Sequence, residues 1–175
     1  MSVEDIKNIP VSSIADDGAV LFLWATYPNL REALEVVNAW GFEYKTVAFT
    51  WVKTSTKKNI PIMGCGFWTR SNAEICLLAT KGKNYPRRIN SGVRQLVVAH
   101  QMKHSAKPIE VRERIVELMG DLPRIELFAR ERVEGWDFLG LDLDNTDIRV
   151  SLPMVAEGGW RFEEDSKEGL LQNLG

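Results

Sequence analysis

The sequence has few of the residues that bind metals or form disulfide bonds. Its 175 residues include two cysteines, Cys65 and Cys76, and two histidines. The cysteine spacing matches no zinc or redox motif, so we expect no metal site and predict two buried, unreactive thiols. The chain also lacks any run of about 18 apolar residues, and its start lacks a secretory-signal pattern. We therefore expect a cytoplasmic protein without a membrane-spanning helix.

Acidic residues are nearly absent from the middle of the chain. Between Lys53 and Lys107 a single acid, Glu74, accompanies eleven basic residues, whereas the rest of the chain carries 11 basic and 23 acidic residues. The formal net charge of -2 therefore conceals a strongly basic segment. A segregated positive surface attracts phosphates, and aromatic residues such as Trp68 are interleaved with the cations. Residues 53–107 are thus predicted to contact nucleic acid rather than to form an ordinary solvated surface, in which lysine and glutamate would alternate.

Apolar runs alternate with amphipathic stretches along the chain. Strands are predicted over residues 19–25, 44–53, 73–80, 93–99, 124–129 and 136–141, and helices over residues 2–9, 28–40 and 108–119. Strands alternating with helices predict an α/β fold with a mostly parallel sheet. The hydrophobic content of 45% is sufficient for one domain with its own core. We expect this domain over residues 1–141, followed by an acidic, loosely packed tail over residues 142–175.

Charged side chains follow several of the predicted strands. Lys53 and Lys81 each come at the end of a strand, and Glu126 and Arg130 lie at the end of the strand over residues 124–129. Ligands of open α/β sheets bind beyond the carboxyl ends of the strands. We therefore expect these side chains to line one site.

Several short motifs occur in an order that resembles one enzyme family. They are Leu21-Phe22-Leu23-Trp24, Trp51-Val52-Lys53, Gly66-Phe67-Trp68-Thr69-Arg70, Lys81-Gly82, His104-Ser105-Ala106-Lys107-Pro108, Ile125-Glu126-Leu127-Phe128-Ala129-Arg130 and Gly135-Trp136-Asp137. Over residues 1–141 the chain is similar to the MT-A70 family of S-adenosylmethionine-dependent adenine methyltransferases. The resemblance implies a Rossmann-like methyltransferase fold with permuted strand order. It also implies methylation of the exocyclic amine of adenine in DNA or RNA.

The resemblance assigns residues to two kinds of binding. For the cofactor S-adenosylmethionine, the expected residues are Lys81, Glu126, Arg130 and Asp142. Leu141 stands where the family usually has asparagine, so the expected cofactor affinity is lowered. An adenine base is held by aromatic and hydrogen-bonding groups while cations bind the phosphates. The expected substrate-binding residues are therefore Lys53, Trp68, Arg70, His104 and Lys107, and no metal is implied.

The catalytic motif of the family, Asp-Pro-Pro-Trp, is absent from this sequence, because none of the seven prolines is adjacent to another. In the family this motif ends a strand next to the one predicted over residues 124–129. We therefore assign no catalytic residue and expect an N-terminally truncated chain that is inactive alone. Three interpretations remain open: a truncated or mis-started active enzyme, a catalytically dead nucleic-acid-binding homologue, and half of a split enzyme whose protein partner supplies the strand. A generic nucleotide-binding α/β domain fits the strand pattern equally well but does not explain the ordered motifs.

Overall fold

A computed structural model describes residues 1–57, 60–66, 68–101 and 106–158 of the chain. The contacts divide the chain into two units, Met1–Leu122 and Pro123–Gly175. The division falls after Leu122, in contrast to the predicted boundary at residue 142. Within the described ranges, no helix is both long and apolar enough to cross a membrane.

The first unit contains most of the predicted helices and strands. They are α1 (Val3–Lys7), β1 (Val20–Ala25), α2 (Leu30–Ala39), β2 (Glu43–Thr54), β3 (Ala73–Thr80), β4 (Leu96–His100) and α3 (Ile109–Met119). Ser2 caps α1 through a reciprocal pair of hydrogen bonds with Asp5. Such a cap satisfies backbone N–H groups that a helix start leaves without partners. The predicted α/β class is therefore confirmed.

The strands of the first unit form one four-stranded sheet in the order β1-β3-β2-β4. β3 runs antiparallel to both β1 and β2, whereas β2 and β4 are parallel. Three of these four strands therefore point the same way, as a mostly parallel sheet requires, and β3 is reversed. We call the end of the sheet where β1, β2 and β4 finish and β3 begins the carboxyl end, and the opposite end the amino end.

Both faces of this sheet are covered by a helix. On one face Phe49, Trp51 and Val97 pack with Val111 of α3. On the other face Ile75 and Leu77 pack with three residues of α2, which are Leu30, Ala33 and Leu34. Burial on both faces explains why β1 and β3 are nearly continuous apolar runs instead of alternating patterns.

The two cysteines differ in their exposure. Cys76 is completely buried in β3, and burial raises the pKa of its thiol to about 12, against a smaller opposing effect of Lys107. This side chain is the unreactive thiol that the sequence predicts. Cys65 is exposed, so the prediction of burial is wrong for it. It lies in the loop before β3.

The two outer strands of the sheet, β1 and β4, differ in whether a side chain bonds to their outer backbone groups. Arg114 of α3 donates hydrogen bonds to the carbonyl oxygens of Arg94 and Leu96, both at 2.8 Å, at the start of β4. β1 consists only of apolar residues and pairs with β3 alone in the described sheet. Charged groups on an edge strand discourage pairing with other chains, and β1 has none.

The second unit contains a smaller sheet and two helices. β5 (Ile125–Leu127) pairs in parallel with β6 (Asp137–Leu139), followed by α4 (Leu141–Asp144) and α5 (Ile148–Ala156). β5 is shorter than the predicted strand over residues 124–129, because Phe128 adopts a positive φ of 60°. Such a conformation is incompatible with an extended strand.

The structure corrects the prediction of a loosely packed tail for residues 148–156. Asp147 caps α5 by accepting a hydrogen bond from the backbone N–H of Arg149 at 2.9 Å. Ile148 and Leu152, four residues apart on one helix face, are 3% and 0% exposed. Residues at this spacing lie on the same side of a helix, so α5 has a buried apolar side. Residues 159–175 of the predicted tail lie outside the described residues.

Candidate functional site

A carboxylate flanked by two ammonium groups lies at the carboxyl end of the four-stranded sheet. Oε1 of Glu74 is 2.6 Å from Nζ of Lys53, and Oε2 of Glu74 is 2.5 Å from Nζ of Lys107. The three residues come from the start of β3, the end of β2 and the segment just before α3. They meet because β3 is reversed, which places its first residues beside the last residues of β2.

Two tryptophan rings lie against these ammonium groups. Nζ of Lys53 is 5.1 Å from the ring centroid of Trp51, and Nζ of Lys107 is 5.2 Å from that of Trp24. The two rings pack edge to face, with centroids 6.2 Å apart. Attraction between an ammonium group and an aromatic face adds to the ion pairs. We call these five residues, Trp24, Trp51, Lys53, Glu74 and Lys107, the Glu74 cluster.

Electrostatics keep Glu74 ionised within this cluster. Burial alone would raise the pKa of the carboxyl group, but the hydrogen bonds from Lys107 and Lys53 outweigh burial and hold the pKa below its usual range. Two positive charges then face one negative charge, which leaves the cluster with a net charge of about +1. The Glu74 side chain is 12% exposed, whereas those of Lys53 and Lys107 are 18% and 29% exposed. The cluster is thus partly open to solvent and can accept an anionic or electron-rich ligand.

The predicted substrate residues Trp68 and Arg70 lie in the loop between β2 and β3. This loop is attached to the cluster, because the backbone of Lys53 donates to the carbonyl of Asn72 and accepts from the N–H of Ile62, both at 2.9 Å. Both Trp68 and Arg70 are exposed. The structure therefore places Lys53, Lys107, Trp68 and Arg70 at the same end of the sheet. His104 lies outside the described residues.

Lys81, a predicted cofactor ligand, lies at the amino end of the sheet. It follows β3, and since β3 is reversed, its end is remote from the end of β2. The ammonium group of Lys81 donates to the carbonyl oxygens of Ser12 and Ala15, at 2.9 and 2.5 Å. The expectation that Lys81 and Lys53 line one site is therefore wrong. Its ammonium group is bound instead by these two backbone carbonyls of the first unit.

The remaining predicted cofactor residues lie in the second unit. Glu126 belongs to β5 and is half-buried, and Arg130 follows that strand. Nε of Arg130 is 3.9 Å from Oδ2 of Asp142, and both side chains are largely exposed. This separation is too long for a hydrogen bond. The guanidinium of Arg130 and the carboxylate of Asp142 therefore lie near the ends of β5 and β6, where both can bind a ligand. Leu141 beside them is also exposed.

Sequence reasoning missed Glu74 as a site residue and assigned Trp24 and Trp51 only to the core. The signal for Glu74 was present, because it is the sole acid among the basic residues and lies in an otherwise apolar strand. His100 was also missed, because the predicted strand ended at Ala99. His100 ends β4, and its Nδ1 lies 3.0 Å from Oγ1 of Thr54 at the carboxyl end. Across the described ranges, no group of three metal-ligating side chains is found.

Comparisons with known proteins show the family to which the chain belongs. The model of the MT-A70 family matches residues 1–142. The chain is 36% identical over 157 residues to the type II methyltransferase M.MunI of Mycoplasma sp, an alignment that covers 90% of this chain and 64% of that protein. It is 32% identical over 148 residues to an N(6)-adenosine-methyltransferase MT-A70-like protein of Drosophila melanogaster, covering 82% of this chain and 24% of the relative. An N(6)-adenosine-methyltransferase MT-A70-like protein of Arabidopsis thaliana is 30% identical over 152 residues, with coverages of 85% and 22%. The chain thus spans less than two thirds of the length of each of these relatives.

Proposed function

Because the chain belongs to the MT-A70 family, with its methyltransferase relatives and Rossmann-like fold, we propose that it takes part in methylation of the exocyclic amine of adenine in DNA or RNA. The Glu74 cluster is the observation that carries this proposal. It combines paired ammonium groups with aromatic rings at the end of the sheet where α/β folds bind ligands. Cations and aromatic faces together are what a nucleic acid with an accessible base requires.

In this proposal the first unit binds the nucleic acid substrate. Lys53 and Lys107 contact the base or its flanking phosphates, and Glu74 positions both ammonium groups through its two carboxylate oxygens. Arg70 contacts a phosphate, and Trp68 stacks on a base. His104 remains a predicted substrate residue.

The second unit holds the cofactor in the same proposal. S-adenosylmethionine carries a methyl group on a sulfonium, together with a carboxylate, an amine and ribose hydroxyls. The exposed guanidinium of Arg130 suits the carboxylate, and the carboxylates of Glu126 and Asp142 suit the amine and a hydroxyl. This donor set fits the group, although Leu141 supplies no hydrogen bond where the family usually has an amide.

The acceptor that would hold the adenine amine is not among these 175 residues, since the sequence contains no Asp-Pro-Pro-Trp. We therefore propose that the chain by itself binds the nucleic acid and the cofactor without transferring the methyl group. Several strands of the described sheets have a single neighbour, among them β1, which pairs with β3, and β5, which pairs with β6. A strand from a protein partner could pair with either. We place this activity in the cytoplasm.

The test uses the purified chain, S-adenosylmethionine with a labelled methyl group, and oligonucleotides with and without adenine. Calorimetry should detect cofactor binding that Arg130→Ala weakens and Arg149→Ala leaves unchanged. Nucleic acid binding should be salt-sensitive and weakened by Lys107→Met. Methyl transfer by the chain alone would contradict the proposed inactivity. A complete lack of cofactor binding would overturn the cofactor assignment in favour of the second candidate below.

A catalytically dead nucleic-acid-binding homologue is the second candidate function. The missing Asp-Pro-Pro-Trp and the apolar Leu141 favour it. It predicts salt-sensitive nucleic acid binding with no cofactor binding, even when a longer relative that contains the motif is added to supply the missing strand. Restored transfer in that mixture would instead support half of a split enzyme.

A further inference from the structure

β4 carries two exposed apolar side chains on the face of the sheet that α2 partly covers. Thr50 of β2 lies opposite both Ile75 of β3 and Leu96 of β4, and Ile75 packs on α2. Since cross-strand neighbours share a face and alternate residues return to it, Leu96 and Val98 lie on the α2 face. They are 55% and 58% exposed, whereas Val97 between them is buried against α3. In the described part of the chain, α2 therefore leaves β4 uncovered on this side.

One flank of α2 faces this uncovered strand. β1, α2 and β2 form a crossover between parallel strands, a connection that is right-handed in nearly all proteins. With α2 over β3, that handedness directs the flank of Leu34 and Asn38 towards β4 and the flank of Trp40 towards β1. The flank of Trp40 is covered by α1, because its indole donates to the carbonyl of Ile6 at 2.9 Å. The flank of Leu34 lines an open groove of about 580 Å³, together with Tyr27 and Asn38. We call the space between this flank and the exposed side of β4 the α2 groove.

The dimensions of the α2 groove match one α-helix. Neighbouring strands are about 4.8 Å apart, so β4 lies roughly 10 Å from β3, over which α2 packs. Packed helices have axes about 8–10 Å apart. A helix laid beside α2 would therefore lie over β4, with Leu96 and Val98 below it and Leu34 at its side. The five residues of β4 span roughly 16 Å, which is about three turns of a helix.

A further strand or a second copy of the chain fits this groove less well than a helix does. Arg114 occupies the carbonyls of Arg94 and Leu96 on the outer border of β4, which blocks the addition of a strand there. The exposed apolar side chains of the groove offer on the order of 300 Å², a size typical of a binding patch. Each subunit of a stable dimer buries about 800 Å². A second copy seated on this face would also cover the polar outer side of α2, which includes Glu35 and Asn38.

The charges along the α2 groove favour an acidic helix. Glu35 is the single acid among the described residues that line it, and its carboxylate is 3.5 Å from Nε of Arg31 and 3.6 Å from Nζ of Lys7. The Arg31 side chain is 88% exposed, and its guanidinium has two further nitrogens that can donate hydrogen bonds. The floor formed by Leu96 and Val98 is uncharged. A carboxylate on a docked helix would therefore meet a guanidinium and no unpaired acid of the groove.

We propose that the α2 groove is the docking site for an amphipathic helix of a protein partner, with apolar residues against Leu34, Leu96 and Val98 and an acidic flank against Arg31. Helices that bind in grooves present apolar side chains at every third or fourth position. The Glu74 cluster lies on the opposite face of the sheet, because Trp51 packs with α3. A docked helix therefore leaves the proposed substrate site open, and this inference does not depend on the proposed function.

The test uses the purified chain and three fluorescent peptides of about 15 residues, the length at which an isolated helix becomes stable. The acidic peptide has leucines at three- and four-residue spacing between glutamates, the basic peptide has lysine for each glutamate, and the third is the acidic peptide in scrambled order. Fluorescence anisotropy should show that the acidic peptide binds best. Val98→Asp should weaken this binding by roughly tenfold or more, because a carboxylate would be buried under the helix. Val150→Asp, the same change at a similarly exposed position of α5, is the matched control and should bind like the wild type. Arg31→Glu should reverse the preference between the acidic and basic peptides.

Several outcomes would overturn the inference. Equal binding by Val98→Asp and Val150→Asp would place the peptide outside the α2 groove, and equal binding of the scrambled peptide would show that no helical pattern is recognised. A wild-type chain that binds none of the peptides would reject the docking site. A dimer in sedimentation that Val98→Asp converts to a monomer would assign the groove to a second copy of the chain. Nucleic acid binding should be the same in all these variants, and unchanged circular dichroism would show that each remains folded.

Discussion

The two ends of the four-stranded sheet use the same residue type for different purposes. At the carboxyl end, Lys53 and Lys107 bind a side-chain carboxylate and remain partly open to solvent. At the amino end, Lys81 donates to two backbone carbonyls, as a structural residue does. The difference originates in the direction of β3, which exchanges the positions of its first and last residues. The chemistry of a lysine after a strand therefore depends on which way that strand runs.

The largest expected effect comes from removing a buried tryptophan at either end. Trp51 is 2% exposed and donates to the carbonyl of Ala99 at 3.0 Å, and Trp40, near the amino end, is 3% exposed and donates to the carbonyl of Ile6 at 2.9 Å. Trp51→Ala and Trp40→Ala should each destabilise the protein by about 3–5 kcal/mol in urea unfolding.

Conservative substitutions at the same two positions, Trp51→Phe and Trp40→Phe, separate the effect on stability from the effect on binding. Trp51→Phe should reduce nucleic acid affinity, because the ring lies against Lys53, whereas Trp40→Phe should not. Equal losses of binding in the two variants would contradict the difference between the two ends.

The second-largest expected effect is the loss of stability when the charge of Glu74 is removed. Glu74→Gln should destabilise the protein by about 2 kcal/mol at neutral pH, because it removes a charge that two ammonium groups share. Since the folded-state pKa of Glu74 is lowered, its contribution is complete above the ordinary glutamate pKa of about 4.3. The contribution is lost as the pH falls through the lower folded-state value.

Urea unfolding measured between pH 7 and pH 3 checks this dependence. The difference in unfolding free energy between wild type and Glu74→Gln should shrink as the pH falls below about 4. Glu117→Gln is the matched control at the amino end, where Glu117 accepts a hydrogen bond from Asn90 while exposed. A difference that stays constant with pH would show that Glu74 is not held ionised by the two lysines.

A smaller effect is expected for the structural lysine. Lys81→Met should destabilise the protein by about 1.5 kcal/mol, because the carbonyls of Ser12 and Ala15 lose a charged donor. Thermal unfolding measures this loss, and the exposed Lys83→Met serves as the control. Nucleic acid and cofactor affinity should be unchanged. If Lys81→Met reduced cofactor binding without changing stability, Lys81 would be a cofactor ligand, as the sequence predicted.

The smallest expected effect is that of replacing Arg70, which we compare with Arg87 at the opposite end of the sheet. Arg70→Gln should lower duplex affinity by roughly three- to fivefold and reduce the slope of log affinity against log salt by about 0.9, the value for one phosphate contact. Arg87→Gln, in the segment after β3, should change neither quantity. Titrations at several salt concentrations measure both, and equal slopes in the two variants would show that both ends bind phosphates.

Most of the helices and strands could be predicted from the sequence, because buried strands and amphipathic helices leave clear apolar patterns. The direction of β3 could not, since a strand buried on both faces reads the same in either direction. The predicted placement of Lys81 was wrong for that reason. The placement of Lys53 and Lys107 could be predicted from the strand and the helix next to them. α5 was missed because Pro153 and the surrounding acids obscured the spacing of Ile148 and Leu152.

The guanidinium of Arg114 has a consequence for how this protein can associate. By occupying two carbonyls at the start of β4, it makes that border of the sheet a poor template for further pairing. The apolar border formed by Val20–Ala25 carries no such block. Any lengthening of the sheet, by a foreign strand or by a misfolded copy, is therefore directed to one side.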